Sequence, residues 1–231
     1  MRVSRNGSQV RGKQNEAEKR RMKNDAMTKQ GDTMKKQLST LRAYKRSPGL
    51  SNSTWYKGIL VSQMAGTVDN DGAFDLAITK MRRGTEPPPH VHSREHEFMY
   101  LLAGEMKFYV DGQVFLVTAG ECMFLPNAIP HAFHATSEEV QVILFSSPGG
   151  FLDAINKMNA PAERMEVPTD ADAVTYANAD LTETIKEFEQ RGIRFLSADE
   201  IHAEMPEYPL YCVYLGSENR DGAEKDDGAA S

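Results

Sequence analysis

From residue 55 to 148 the sequence is a series of short apolar, β-branched and aromatic runs broken by turn residues at close spacing. This texture suits antiparallel strands and constrains the fold more than any other feature of the chain. Strands are expected at 55–64, 73–81, 97–102, 106–110, 113–117, 123–125, 131–135 and 140–146. Asp69-Asn70-Asp71-Gly72 reads as a turn, and Asp111-Gly112 is a two-residue hairpin signal. About eight short strands in roughly 95 residues leave few open edges only in a closed barrel or a double-sheet jelly roll, so the fold class is all-β.

Pro148-Gly149-Gly150 ends this texture. Residues 151–158 read as a short helix and 181–191 as a longer one. Asp180 is placed to cap the longer helix, Glu183 follows three residues on, and Gly192 stands where it should stop. Leu181, Ile185 and Phe188 follow the i, i+4, i+7 spacing and form one face to pack on the strands. The expected organisation is a basic arm at 1–47, a β-barrel at 48–150, a helical extension at 151–215 packed on the barrel, and a polar tail at 216–231.

The charge divides along the same lines. The chain of 231 residues carries 27 Lys/Arg against 33 Asp/Glu, a net of −6, but residues 1–46 alone hold 14 against 4. The arm lacks the apolar residues to offset the entropy of ordering and is expected to be disordered. Met34 opens a more ordinary segment, so residues 1–33 read as an extension the body does not need. An acidic body argues against nucleic acid as a partner. No apolar run approaches the 18 or so residues of a membrane span, and residues 1–36 lack the apolar core of a secretory signal. Cys122 and Cys212 are too few for a disulfide framework. Both are expected to be reduced, in a cytoplasmic protein, with Cys122 a small buried hydrophobe.

The chemistry concentrates in Gly84-Thr-Glu-Pro-Pro-Pro-His90-Val-His92-Ser-Arg-Glu-His-Glu97. On a strand, alternate side chains share a face, so His90 and His92 can place two imidazole nitrogens on one ion. Glu97 opens the next strand within reach of the same point, and His131 follows Pro130 in a second loop. Three imidazoles and one carboxylate suit a divalent transition metal such as iron, manganese, nickel, copper or zinc, with room left for water or substrate. His96 and His134 read as surface or supporting residues, and Glu95 is a competing carboxylate whose place in the turn makes it a weaker ligand candidate than Glu97.

These residues match the first cupin motif, G-x5-H-x-H-x4-E-x6-G, at Gly84, His90, His92, Glu97 and Gly104, and the second at Gly120, Pro126 and His131. Ala128 and Ala135 replace the inner Gly and terminal Asn of that second motif, and neither position is a ligand. Over roughly 55–160 the chain resembles cupins of the bacterial quercetin 2,3-dioxygenase-like group, also in its Pro87-Pro88-Pro89 and Ser147-Pro148-Gly149-Gly150-Phe151 segments. The resemblance implies a cupin-type double-stranded β-helix and a metal-dependent dioxygenase acting on a flavonol-like hydroxylated aromatic. Glu97 is then both ligand and proton acceptor, and dioxygen the co-substrate. Non-oxidative cupins (isomerase, cyclase or hydrolase) and a binding or regulatory cupin without catalysis are the alternatives.

Strand alternation turns Met99, Leu101 and Phe133 to the same interior as Glu97 and His131, with Met106 and Phe108 on a neighbouring strand. These five are the expected substrate pocket, apolar enough for a flat hydrophobic small molecule. The strand expected at 55–64 would leave an edge to be covered, which points to a homodimer.

Overall fold

The computed structural model describes residues 19–24, 41–173 and 181–209. Among them twelve strands form two sheets in which every paired neighbour runs antiparallel. The larger sheet has the order β11-β1-β2-β3-β10-β5-β8 and the smaller β12-β4-β9-β6-β7. The arrangement is the double-sheet jelly roll rather than one closed sheet.

The first strand expected from the sequence is a hairpin. β1 (Ser53–Tyr56) and β2 (Ile59–Ala65) pair across Lys57-Gly58, both of which have positive φ. The apolar residues on either side hid this turn, because Lys-Gly is a poor match to the usual Asn-Gly or Asp-Gly signal. A single helical turn, Thr67–Asn70, runs into the first half of the turn expected at Asp69-Asn70-Asp71-Gly72. β3 (Asp75–Arg82) then alternates buried and half-buried side chains along its whole length. It pairs with β2 on one side and β10 (Glu139–Ser147) on the other.

β4 (His90–His92), β5 (His96–Ala103), β6 (Glu105–Val110), β7 (Gln113–Thr118), β8 (Cys122–Leu125) and β9 (His131–Ala135) fall close to the expected positions. The main core lies between the sheets and includes Met99, Leu101, Met106, Phe108, Val142 and Phe133. Among the described residues, β7 and β8 are the edge strands at one end of the two sheets. Leu116 and Phe124 on these strands are more than half exposed. Cys122 is also exposed, against the buried position expected for it, because an edge strand has cover on one side only.

The segment after Gly150 is more than a helical extension. Ala160–Pro161 (β11) pairs with β1, which covers the edge that was expected to be open. Ile193–Phe195 (β12) adds a strand to the smaller sheet against β4, with Ile193 opposite His92 and Phe195 opposite His90. Helix Leu181–Glu189 ends as expected before Gly192, whose φ is +81°. A methyl group at Gly192 would collide with Ser93 Oγ, and Ser93 N–H donates to the Gly192 carbonyl at 2.7 Å. Only glycine lets the extension close on the loop that follows β4.

Helix Phe151–Ile155 buries Leu152, Ala154 and Ile155. Helix Asp170–Ala173 is a single turn. Helix Ala198–Glu204 carries a Ser197/Glu200 capping box and buries Ile201 in a second cluster with Tyr109, Met205 and Tyr208. On the outer face of the larger sheet, Trp55 donates to the Glu166 carbonyl at 2.9 Å, and Arg164 lies 4.8 Å over its ring.

At the other end, the compact body begins at Lys45 rather than at 48. Arg46 pairs with Asp69 at 2.9 Å and donates to the Met64 carbonyl, so the last residues assigned to the arm are tied down. Residues 19–24 are helical and exposed. The rest of the arm up to residue 40, Asp180, the side chain of Leu181, Cys212 and the tail at 216–231 lie outside the described residues. No helix among the described residues is long and apolar enough to cross a membrane.

Candidate metal centre

Strand pairing brings the site together. β4 lies between β12 and β9, and its His90 stands opposite His131. β5 belongs to the facing sheet, and the turn after His92 places Glu97 where its side chain points inward with Met99 and Leu101. His90, His92, Glu97 and His131 are all buried, and one donor atom from each lies within 4.8 Å of the other three.

Each imidazole is oriented from behind. His90 Nδ1 lies 2.8 Å from the Pro88 carbonyl and His131 Nδ1 3.1 Å from the Ile129 carbonyl. A carbonyl can only accept, so both Nδ1 atoms carry the proton and both Nε2 lone pairs are free. His92 has a different support: its Nδ1 lies 3.5 Å from Oε2 of Glu95. Glu95 is completely buried, and neither of its oxygens has a hydrogen-bond partner. The sequence placed this residue in a turn and gave no reason to expect burial. The Ser-Arg-Glu-His-Glu order, with two acids one residue apart after a His-x-His pair, is the only hint.

The front of the site is bare. His92 Nε2, His131 Nε2 and Glu97 Oε2 are buried without hydrogen-bond partners, and the last two stand 3.5 Å apart. Buried polar atoms are seldom left in this state, and three of them converging suits a bound cation. The electrostatics agree. Burial, with the neighbouring His131 and His92, pushes the His90 imidazole down to about 3, so it stays neutral and available as a ligand. Burial alone would raise the Glu97 carboxyl, but the imidazoles of His131, His92 and His90 outweigh it and hold the group at about 2, ionised. Burial also opposes charge on His92, yet the Glu95 and Glu97 carboxylates together raise its pKa. The set therefore fits a divalent transition ion, by its mixed N/O donors and its unpartnered atoms.

His90 and Glu97 open onto a cavity of about 520 Å³. Met99 and Phe133 line it as expected, but Leu101, Met106 and Phe108 do not. Those three are fully buried in the core between the sheets instead. The sequence also missed the opposite wall. Thr184, Ile185 and Phe188 of helix Leu181–Glu189 and Phe195 of β12 line the cavity, as do Tyr56 and Lys57 of the first hairpin. Phe188 is the hub of this wall, with ring centroids 6.4 Å from Tyr56, 6.2 Å from Phe151 and 5.6 Å from Phe195. Phe151 and Phe195 in turn stand 6.0 Å from His92 and 6.2 Å from His90.

His96 and His134 stay outside the cluster. His96 accepts from Asn127 N–H at 3.1 Å, and His134 lies 3.7 Å from Glu86.

Residues 77–147 match a family model described as Cupin domain. Quercetin 2,3-dioxygenase of Bacillus subtilis is 23% identical over 105 residues, 46% of this chain and 31% of that protein. Polyketide synthase CurC of Streptomyces cyaneus is 31% identical over 78 residues, 33% of this chain and 49% of that one. The chain thus spans about a third and about half of these two curated relatives. Among solved structures, an RmlC-like cupin from Shewanella frigidimarina is 20% identical, with a TM-score of 0.41, over 48% of this chain and 96% of its own.

Proposed function

From membership of the cupin superfamily, with the cupin domain at residues 77–147, we propose that the chain is a metal-dependent oxidoreductase of the dioxygenase type, acting on a hydroxylated aromatic of the flavonol kind. Superfamily membership alone does not choose a reaction. The observation that carries the proposal is the convergence of His90, His92, Glu97 and His131, with their inward atoms unpartnered, at a cavity walled by aromatic side chains. The similarity to the protein named quercetin 2,3-dioxygenase supports the same reading.

A bound transition ion would offer a Lewis-acidic position for a substrate hydroxyl and, if redox-active, a route for electrons to dioxygen. The remaining work falls to the chain. The Pro88 and Ile129 carbonyls and Glu95 hold the three imidazoles with Nε2 forward. Glu97 is ionised, and its second role is to accept the proton of the substrate hydroxyl. Phe151, Phe188 and Phe195 keep water from the substrate body and give its ring a flat surface.

Because the same three-His, one-Glu set also suits a redox-inert ion, a second reading is a non-oxidative isomerisation, cyclisation or hydrolysis at the same centre, with the ion as a Lewis acid. Protein loaded separately with iron, manganese, nickel, copper and zinc separates the two when mixed with quercetin in an oxygen electrode. Oxygen uptake with at least one redox-active metal supports the dioxygenase. A flat trace with all five removes it, and turnover that persists without oxygen, or with zinc, selects the second reading.

A further inference from the structure

Half of the cavity wall comes from elements outside residues 77–147, and this half holds two polar groups that the proposed chemistry does not use. The first is Lys57, the only Lys or Arg among the described residues lining the cavity. It occupies the hairpin turn with φ +45°, a left-handed conformation that is strained for a non-glycine residue. Asn or Asp would adopt it more readily.

No carboxylate among the described residues lies within ion-pair distance of Lys57, and its ammonium stands 6.0 Å from the Tyr56 ring centroid. Lys57 is exposed as a whole, and the neighbouring side chains lower its pKa by displacing part of the water around it. The other acid on that side of the cavity is already engaged, because Glu86 accepts from Ala135 N–H at 2.7 Å and Gly84 N–H at 2.8 Å. The second group is Thr184, 2% exposed, whose Oγ1 has no hydrogen-bond partner. Thr184 precedes Phe188 by one helical turn and so shares its face. Phe188 packs on Tyr56, the residue before Lys57.

An aromatic wall thus runs from the ligand imidazoles through Phe151 and Phe188 to Tyr56, and an unpaired cation follows it in sequence. We propose that the substrate carries an acidic group distant from its metal-binding end, that Lys57 pairs with this group, and that the Thr184 hydroxyl gives the substrate body a neutral hydrogen bond. Charge attraction brings such a molecule to the cavity, and the turn conformation, tolerated at a cost, is what aims the cation at it. The proposal depends on the preceding section only for the metal end.

Two fluorescent probes test it on the full chain. 8-Anilinonaphthalene-1-sulfonate carries an acidic group that is a poor metal ligand, and N-phenyl-1-naphthylamine is nearly the same aromatic body without it. Lys57→Asn removes the cation while keeping a residue suited to positive φ, and Lys57→Arg keeps the charge. The sulfonate probe should bind the wild type and Lys57→Arg alike, and Lys57→Asn about tenfold more weakly, while the neutral probe stays within about twofold in all three. Equal sulfonate affinity in the wild type and Lys57→Asn would overturn the proposal. So would a parallel loss of both probes, which makes Lys57 part of the wall rather than an anion partner. The titrations are run without metal and with zinc. Failure of metal uptake then counts against the proposed function, and failure of discrimination against Lys57.

Discussion

Replacing Glu95 by Gln removes one negative charge from behind His92 and changes almost nothing else. The side chain is completely buried, its oxygens have no hydrogen-bond partner, and His92 Nδ1 lies 3.5 Å from one of them. Together with Glu97 it supplies two buried negative charges, which balance a divalent ion. Loss of such a supporting partner typically weakens metal affinity by about 10- to 100-fold, or about 1.4–2.7 kcal/mol. Without metal the sign reverses or vanishes, since a poorly compensated buried carboxylate has been replaced by a neutral amide.

Metal stabilises the folded state by mass action, so the loss of affinity appears directly in thermal unfolding. For a body of this size 1 kcal/mol is about 2–4 °C, and the metal-induced rise in Tm should shrink by roughly 3–10 °C. The assay is chelator competition with zinc or cobalt, paired with melts in the presence and absence of metal. Unchanged affinity in Glu95→Gln would refute the assigned role. A large drop in the metal-free Tm would show instead that Glu95 serves the fold.

Three further outcomes follow from the same geometry. His90 stays neutral in the folded state down to about pH 3, whereas an unfolded histidine takes up a proton near 6.5. The metal-free protein should therefore lose stability as pH falls through that window, by at most about 1.4 kcal/mol per pH unit for this group. Glu97, held at about 2, adds to the loss below 4.5. His92 acts in the opposite sense, because its raised pKa contributes stability that is lost as pH rises. Urea midpoints at pH 7, 5.5 and 4 measure the sum, and a midpoint that holds or rises on acidification contradicts it. Phe188→Ala should cost about 3–5 kcal/mol in urea unfolding, since the ring is 4% exposed and touches three other rings. A loss below 1 kcal/mol would show that helix Leu181–Glu189 is not part of the core. Homodimerisation is now expected at the edge strands β7 and β8, where Leu116 and Phe124 are exposed. Light scattering should give a dimer that dissociates in Leu116→Lys/Phe124→Lys, and a monomeric wild type would refute it.

The inner layer of the site was legible because its signals are local. Strand alternation puts His90 and His92 on one face, Glu97 opens the next strand, and His131 starts a strand after a proline turn. The outer wall depends on pairings across long sequence separations. Ile193–Phe195 is only three residues long and carries no strand signature strong enough to predict its place beside β4, about a hundred residues earlier. Alternation also cannot tell a cavity wall from the core, so Met99 in the one and Leu101 in the other looked alike in the sequence. Lys57 was hidden for another reason, since its turn uses a conformation that lysine rarely adopts.

The central claim is that His90, His92, Glu97 and His131 hold one transition ion, and elemental analysis of the purified chain tests it most directly. Wild-type protein, as isolated or after incubation with divalent metals and desalting, should carry about one ion per chain, and His92→Ala far less while keeping its fold by circular dichroism. A wild type that retains no metal, or a His92→Ala variant that retains as much, would contradict the account.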